Sequence, residues 1–198
     1  MVNRITVGMT GATGQLYGIR GLELLAETDY ETHLILSDSA RITIKQETEY
    51  TPSEVEDLAN VNHAVKNIGA SVASGSFSTD GMLIAPCSMK TLSNIAHGNA
   101  GNLITRTADV TLKERTPLVM MPREKPLNRI HLKNMLEVTD AGGIIMPPFP
   151  SFYQGTMDVD EMITRTVARA LSLFDIDIEY NEWTGLSEGV VETESGDD

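Results

Sequence analysis

The most constraining feature of this sequence is an apolar run that meets a glycine-rich turn within the first 14 residues. Ile5, Val7 and Met9 have the spacing of a short strand, which leads directly into Gly11-Ala-Thr-Gly14. Apolar residues then recur at helical spacing, at Leu16, Ile19, Leu22 and Leu25. Glycine lets the backbone approach a ligand, and the free amides and dipole of a helix N-terminus favour an anion. This unit therefore predicts a phosphate-bearing cofactor, although the turn alone does not identify it.

Strand-like and helix-like segments alternate along most of the chain. Strands are expected at residues 5–9, 31–37, 81–86, 117–122 and 143–147. Helices are expected from residue 13 and at residues 39–47, 91–97, 104–115, 127–138 and 158–173. Residues 49–70 contain a helix start and then an irregular region. The alternation predicts an α/β fold with a doubly wound, mainly parallel sheet in three layers. We expect one domain over residues 1–184 and an acidic, disordered tail over 185–198.

The charge of the chain limits its partners. The 198 residues include 15 Lys and Arg against 28 Asp and Glu, which gives a net charge of −13. Nucleic acids and anionic membranes are polyanions, so neither is an expected partner. Cys87 is the only cysteine, which excludes an intrachain disulfide, and no segment approaches the ~20 apolar residues that cross a bilayer. We expect a cytoplasmic protein.

Candidate site residues follow from the predicted sheet, because ligands bind beyond the carboxyl ends of parallel strands. The residues just after the strands are 11–14, Ser37, Ser88–Thr91, Arg123–Glu124 and Phe152–Tyr153. Ser88 and Thr91 lie three residues apart at a strand-to-helix junction. Two interpretations stay open: these hydroxyls cap the helix, or they bind a flavin or a phosphate.

Two charged groups are further candidates. Arg106, Asp109 and Lys113 share one face of a predicted helix. That face is either solvated, with an Asp109–Lys113 ion pair, or it directs Arg106 and Lys113 at an anionic substrate. Arg123 and Glu124 lie between two prolines at the end of a buried strand. Arg123 suits a phosphate or flavin oxygen and Glu124 a general acid or base, while a structural ion pair between them is the alternative.

The remaining polar residues carry weaker signals. The four histidines lack ligand spacing and cysteine partners, so we interpret them as structural or surface residues and predict no metal site. Glu47, at the end of the second helix, has no local pattern that distinguishes it. The apolar, proline-rich segment 147–153 is expected to cover a site or to contact another subunit.

Taken together, these stretches resemble the flavin prenyltransferases of the UbiX type over residues 4–175. The resemblance is carried by six motifs in order: Thr10-Gly-Ala-Thr-Gly14, Ser74-Gly-Ser76, Pro86-Cys-Ser-Met-Lys-Thr91, Ala108-Asp-Val-Thr-Leu-Lys-Glu-Arg115, Pro122-Arg-Glu124 and Pro150-Ser-Phe-Tyr153. Many members have Ser where this chain has Thr13, a difference that keeps the hydroxyl group. The resemblance implies a Rossmann-like flavoprotein fold and a homo-oligomer, commonly a dodecamer, with sites built at subunit contacts.

The resemblance also implies an activity. Enzymes of this type join a dimethylallyl group from dimethylallyl phosphate to N5 and C6 of reduced FMN, without a metal, and the prenylated FMN serves UbiD-type decarboxylases. FMN would be held by Gly11, Ala12, Thr13, Ser37, Ser88, Thr91 and Arg123. The substrate phosphate would be held by Tyr153, Arg169, Lys113 and Arg123, with Arg106 as a further candidate. The implied catalytic residues are Glu47, Glu124 and Lys113, with Glu124 moving protons at the phosphate end and Glu47 at the flavin ring.

Three other classes of protein fit parts of the pattern. A nicotinamide-dependent reductase usually has G-x-x-G-x-x-G, but here the next glycine, Gly18, is one place late, and no tyrosine has a lysine four residues on. An FMN-dependent cysteine decarboxylase of the phosphopantothenoylcysteine type has Pro-Ala-Ser-Ala-Asn-Thr, which residues 86–91 replace. An FMN-binding carrier without catalysis is the third alternative. Four residues argue against it: Glu47, Lys113, Glu124 and Tyr153.

Overall fold

A single parallel sheet organises the chain. The computed structural model describes residues 2–152 and 158–180. The strands in these ranges are β1 (Arg4–Met9), β2 (Glu31–Leu36), β3 (Val61–Ala64), β4 (Gly81–Cys87), β5 (Leu118–Pro122) and β6 (Ile144–Ile145). Their order across the sheet is β3-β2-β1-β4-β5-β6, and every neighbouring pair is parallel. The chain thus winds outwards in both directions from β1, and the predicted doubly wound α/β fold is confirmed.

Helices make the crossovers between the strands. They are α1 (Gln15–Ala26), α2 (Asp38–Glu47), α3 (Pro52–Asp57), α4 (Met89–Ala96), α5 (Leu103–Glu114), α6 (Arg129–Asp140) and α7 (Val159–Leu171). Most of them begin at a short polar side chain that accepts a hydrogen bond from an amide of the first turn; these caps are Ser37, Thr51, Ser88, Asn102, Asn128 and Asp158. Such side chains satisfy amides that have no partner within the helix, so they fix where each helix begins.

Strand β3 was missing from the sequence-based prediction, which treated residues 49–70 as irregular after a helix start. Within residues 2–152 and 158–180, the strand lies at the edge of the sheet and pairs only with β2. Its residues alternate between partly buried and exposed, and two of its four residues are Asn62 and His63. An edge strand of this kind has no apolar run, so periodicity does not reveal it.

The two faces of the sheet carry separate hydrophobic cores. Val7 and Leu83 belong to the core that α1 and α7 cover. Ile84 and Met120 belong to the opposite core, which α4 and α5 cover. Because side chains alternate along a strand, each buried strand serves both cores, and the predicted three layers are confirmed.

Helix α1 packs unusually close to the sheet at one residue. A Cβ atom added to Gly18 would lie 2.7 Å from the Cε atom of Met9 and closer still to the carbonyl oxygen of Ala85. Real Cβ atoms essentially never approach a heavy atom within 3.0 Å. The absence of a side chain at Gly18 therefore lets α1 lie directly against β1 and β4. This close packing sets the position, relative to the sheet, of the glycine-rich turn that precedes the helix.

Cys87 is fully buried at the end of β4, and burial raises the pKa of its thiol. Among the described residues, no helix combines the length and the apolar character that crossing a membrane requires.

Candidate functional site

The candidate site lies at the carboxyl edge of the sheet, where β1 and β4 lie side by side and their crossovers leave in opposite directions. Such a switch point opens a crevice between the two loops that follow the strands. Here the loops are the glycine-rich turn after β1 and the segment that begins at Ser88 after β4. The loops after β2 and β5 add Ser37 and Arg123 to the same edge.

The glycine-rich turn has the shape of a close-approach cradle. Gly14 adopts the left-handed conformation, with φ of 96°, at the start of α1. A Cβ atom at Gly11 would overlap the side chain of Ser39, in the first turn of α2. Gly11 and Thr13 are exposed while Ala12 between them is buried, so the turn presents its backbone to the crevice.

The carboxylate of Glu47, the last residue of α2, lies at the N-terminus of α1. Its Oε2 atom accepts hydrogen bonds from the backbone amides of Gly14 at 2.8 Å and Gln15 at 3.2 Å. A carboxylate is stabilised there by the free amides and by the helix dipole. The first helical amides, which the sequence assigned to a phosphate, thus already bind an anion of the protein, and the amides earlier in the turn are those left for a ligand. No sequence signal predicted this contact, because it joins residues 33 positions apart.

The serine and threonine hydroxyls at this edge do cap helices. Ser37 Oγ accepts the amide of Ala40 at 3.0 Å. Ser88 Oγ accepts the amide of Thr91 at 3.3 Å and donates to Thr91 Oγ1 at 3.1 Å. The capping interpretation of Ser88 is confirmed. Binding of a ligand by the same hydroxyls remains compatible, since a hydroxyl oxygen has two lone pairs.

Arg123 and Glu124 follow β5 at the same edge. The backbone amide of Arg123 donates to the carbonyl of Cys87 at 3.1 Å, which ties this loop to the end of β4. The Arg123 charge lies near Tyr17 on α1, where it partly offsets the rise in the pKa of Tyr17 that burial causes. Glu124 is exposed and accepts the amide of Lys125 at 3.0 Å. Within the described ranges no ion pair joins Arg123 to Glu124.

A cavity of about 200 Å³ lies beside these two residues. Its lining residues are Pro122, Arg123, Glu124, Lys125, Leu127, Met135, Pro147, Pro148 and Phe149. Phe149 and Phe152 are 76% and 73% exposed. The segment before Tyr153 thus presents aromatic surface next to charged groups, as an apolar cover would. Tyr153 itself lies outside the described residues, as does the acidic segment 185–198.

The cations of α5 form different pairs from those expected. Arg106 donates to Asp109 Oδ2 at 2.7 Å and to the carbonyl of Ala73 at 3.2 Å. Lys113 pairs with Glu114 instead of Asp109. The interpretation with an Asp109–Lys113 ion pair is therefore wrong, because Asp109 pairs with the Arg106 guanidinium at i−3 instead.

Helix α5 also carries Lys113 away from the carboxyl edge. The amide of Leu103 donates to the carbonyl of Val65, just beyond the carboxyl end of β3. The other end of α5 leads through residues 115–117 into the start of β5. At about 1.5 Å per residue, Lys113 lies about 15 Å along the helix axis from Leu103. Within one chain, Lys113 therefore lies towards the amino edge of the sheet.

Arg169 lies at that same distant edge. It is exposed in the last turn of α7 and donates to Ser172 Oγ at 2.8 Å. The chain then reaches Phe174, which packs so closely on Gly81, the first residue of β4, that an added Cβ would lie 2.6 Å from its ring. The structure thus brings together Glu47, Arg123 and the hydroxyl residues in one chain, but not Lys113 and Arg169.

A histidine pair near the amino edge, with His33 buried and His63 partly buried, was not predicted as a pair. His33 Nδ1 and His63 Nε2 are 2.9 Å apart, and His33 Nε2 lies 2.8 Å from Glu31 Oε1. Arg4 Nε donates to the same Glu31 oxygen at 2.8 Å. Burial and then the neighbouring His33 lower the pKa of His63, while hydrogen bonds from Arg4 and His33 lower the pKa of Glu31. Among the described residues no group of three potential ligands could hold a metal ion.

Comparison with known proteins identifies the family. The family model described as Flavoprotein matches residues 2–172. The flavin prenyltransferase UbiX of Neisseria meningitidis serogroup B is 50% identical over 189 residues, which cover 95% of this chain and 100% of the relative. The chain belongs to the UbiX-type flavin prenyltransferases. UbiX of Escherichia coli K12 is 46% identical over 188 residues, 93% of this chain and 100% of that protein.

Solved structures support the assignment to the UbiX-type enzymes. The crystal structure of AnUbiX (PadA1) in complex with FMN and dimethylallyl pyrophosphate is 49% identical, with a TM-score of 0.92 over 94% of this chain and 100% of that one. A dodecameric FMN-dependent UbiX-like decarboxylase from Escherichia coli O157:H7 has 44% identity and a TM-score of 0.89, over 92% of this chain and 100% of that one. The FMN-dependent cysteine decarboxylase SpaF, at 19% identity and a TM-score of 0.60, shares the fold alone, so the cysteine decarboxylase alternative is not favoured.

Proposed function

We propose that this UbiX-type enzyme transfers the dimethylallyl group of dimethylallyl phosphate to N5 and C6 of reduced FMN. The observation that carries the proposal is the backbone cradle and hydroxyl cluster at the carboxyl edge, in a chain 49% identical to a protein solved with FMN and dimethylallyl pyrophosphate. The product is prenylated FMN, and the recipient is a UbiD-type decarboxylase in the cytoplasm.

The residues at the carboxyl edge fit FMN. Gly11 leaves no space for a Cβ atom, and Gly11 and Thr13 are both exposed. A phosphate suits such a turn because backbone amides can contact it directly. In this proposal FMN contacts a set of residues drawn from four loops: Gly11, Ala12, Thr13, Ser37, Ser88, Thr91 and Arg123. When bound, the reduced flavin supplies the nucleophilic atoms of the reaction.

The protein's part in the reaction is to stabilise a leaving phosphate and to exclude water. Breaking an allylic C–O bond develops negative charge on phosphate, which fixed cations and hydroxyl donors stabilise. Lys113, Arg123, Arg169 and the hydroxyl of Tyr153 have this role in the proposal, and Arg106 supports them. The aromatic segment ahead of Tyr153 keeps water from the carbocation-like carbon.

Two carboxylates divide the proton transfers. Glu124 is exposed beside Arg123 at the edge of the cavity, a position that suits exchange of a proton with the phosphate end. Glu47 is assigned to the flavin ring. Its two bonds to the N-terminus of α1 hold its carboxylate at the glycine-rich turn, beside the proposed FMN contacts.

The proposed site requires more than one subunit. Lys113 and Arg169 lie towards the amino edge, whereas Arg123 lies at the carboxyl edge. These cations can contact one phosphate only if neighbouring chains bring the two edges together. A homo-oligomer, most simply a dodecamer like the UbiX-like protein of Escherichia coli O157:H7, supplies such contacts.

The test is an anaerobic incubation of the enzyme with reduced FMN and dimethylallyl phosphate, followed by mass spectrometry of the extracted flavin. We expect the flavin to gain one C5H8 unit. A parallel reaction with the diphosphate determines which donor is used. Unmodified but tightly bound FMN with both donors would refute the transferase and support a flavin carrier.

A further inference from the structure

A buried glutamine shapes the glycine-rich turn from inside the protein. Gln15 has no exposed surface, although it is polar and lies in the first turn of α1. Its Nε2 atom donates to the carbonyl oxygens of Thr10 at 2.8 Å and Ala12 at 2.7 Å. Both carbonyls of the turn therefore point inwards, towards the carboxamide.

The inward carbonyls determine where the amides of the turn point. In a trans peptide the C=O and N–H bonds of one plane point in opposite directions. The peptides that follow Thr10 and Ala12 are trans. The N–H groups of Gly11 and Thr13 consequently point away from Gln15, and both residues are exposed to the crevice. One buried side chain thus aims two amides outwards.

The carbonyl oxygen of the Gln15 carboxamide makes no comparable contact in the described part of the chain. This Oε1 atom is buried and, within residues 2–152 and 158–180, accepts no hydrogen bond. A buried polar atom without a partner costs stability. An apolar side chain of similar volume would avoid that cost. The carboxamide is therefore explained by the two hydrogen bonds that its Nε2 atom donates to the carbonyls of Thr10 and Ala12.

The turn that Gln15 shapes is anchored to the neighbouring loop by Thr10. Thr10 is buried, and its hydroxyl donates to the carbonyl of Pro86 at 2.8 Å and accepts the amide of Ser88 at 2.8 Å. The turn after β1 and the loop after β4 are therefore one hydrogen-bonded unit. A change at Gln15 moves the amides of the turn without breaking this anchor.

We propose that Gln15 is a positioning residue for FMN, which directs the amides of Gly11 and Thr13 at the flavin phosphate without touching the flavin. The inference rests on the proposed FMN site and deepens it. A positioning role of this kind affects binding of the phosphate alone, whereas a general packing role would affect binding of the whole flavin. FMN and riboflavin differ only by that phosphate, so comparing their affinities distinguishes the two roles.

The test compares FMN and riboflavin affinities of the intact enzyme by quenching of flavin fluorescence. Gln15→Leu keeps the volume and removes both donors, and Gln15→Met is a second variant with a more flexible side chain. We expect the Kd for FMN to rise at least about tenfold, since two charge-assisted bonds are lost, while the Kd for riboflavin changes less than about twofold. The control is Thr6→Val, which removes a buried hydroxyl without a partner from β1 and should leave both affinities unchanged.

Each outcome has a distinct meaning. Equal weakening of FMN and riboflavin, or no weakening of either, in folded Gln15 variants would overturn the positioning role. If the wild-type enzyme bound neither flavin, the proposed function would fail instead. Titration of wild type and Gln15→Leu with inorganic phosphate would then test Gln15 alone, with weaker binding by the variant as the supporting result and equal binding as the refuting one.

Discussion

Adding one methyl group at Gly18 tests how closely α1 must approach the sheet. In Gly18→Ala the new Cβ would lie 2.7 Å from Met9 Cε and still nearer to the carbonyl oxygen of Ala85. Met9 is a flexible side chain and can move, but the Ala85 oxygen belongs to the backbone of a central strand. Helix α1 therefore has to shift outwards, and the glycine-rich turn has to move with it.

The expected cost follows from two opposing terms. Overpacking a core by one carbon costs about 1–3 kcal/mol, and contact with backbone places Gly18 at the upper end. Alanine recovers about 1 kcal/mol of helix propensity in return. The net loss of about 2 kcal/mol corresponds to a fall in Tm of about 4–8 °C for a chain of this size, measured by calorimetry at fixed protein concentration.

Gly21 provides the matched control in the same helix. Its added Cβ would meet Leu83 Cδ2 at 3.3 Å and Val167 Cγ1 at 3.6 Å, and both are side-chain atoms. Gly21→Ala should therefore leave Tm unchanged or raise it slightly. If Gly18→Ala were as stable as Gly21→Ala and bound FMN equally well, the argument from close backbone approach would be refuted.

Three further changes test the edge residues and the histidine pair. Glu47→Ala should cost about 1 kcal/mol, seen as a lower Tm than for Glu49→Ala, because it uncaps α1; equal Tm values would contradict the capping role. Glu124→Gln should lower prenylation about 10²- to 10⁴-fold in the mass-spectrometric assay while FMN affinity stays constant, whereas Glu137→Gln on α6 should change neither turnover nor FMN affinity; near-normal turnover of Glu124→Gln would remove it from the mechanism. The lowered pKa of His63 means that the unfolded chain binds more protons, so the free energy of unfolding should fall as pH drops below about 6.5, and His63→Gln should flatten that part of a denaturant-versus-pH series. A variant that kept the full pH dependence would show that His63 is not its source.

The sequence predicted the fold where local patterns decide it. Strands such as β4 are continuous apolar runs, and polar caps such as Ser88 mark where helices begin, so the order of elements and the carboxyl-edge loops could be predicted. β3 could not, because its polar residues at the sheet edge follow no apolar period. The prediction of a parallel sheet did not depend on it.

Contacts between distant segments were harder to predict than the elements themselves. The contact of Glu47 with the N-terminus of α1 depends on how α2 packs against α1. No spacing of residues along the chain predicts that packing. No pattern along the sequence distinguishes Gln15, and only its burial shows that it shapes the turn. Asp109 had two cations within helical reach, and geometry selected Arg106 over Lys113.

The direction of α5 has a consequence for genetics as well as for catalysis. If Lys113 of one chain and Arg123 of another contribute to the same site, each active site contains residues from two subunits. Mixed assemblies of Lys113→Ala and Arg123→Ala chains would then contain some sites with no altered residue and some with two. Two inactive enzymes, dissociated and reassembled together, would recover part of the wild-type activity, and neither would do so by itself.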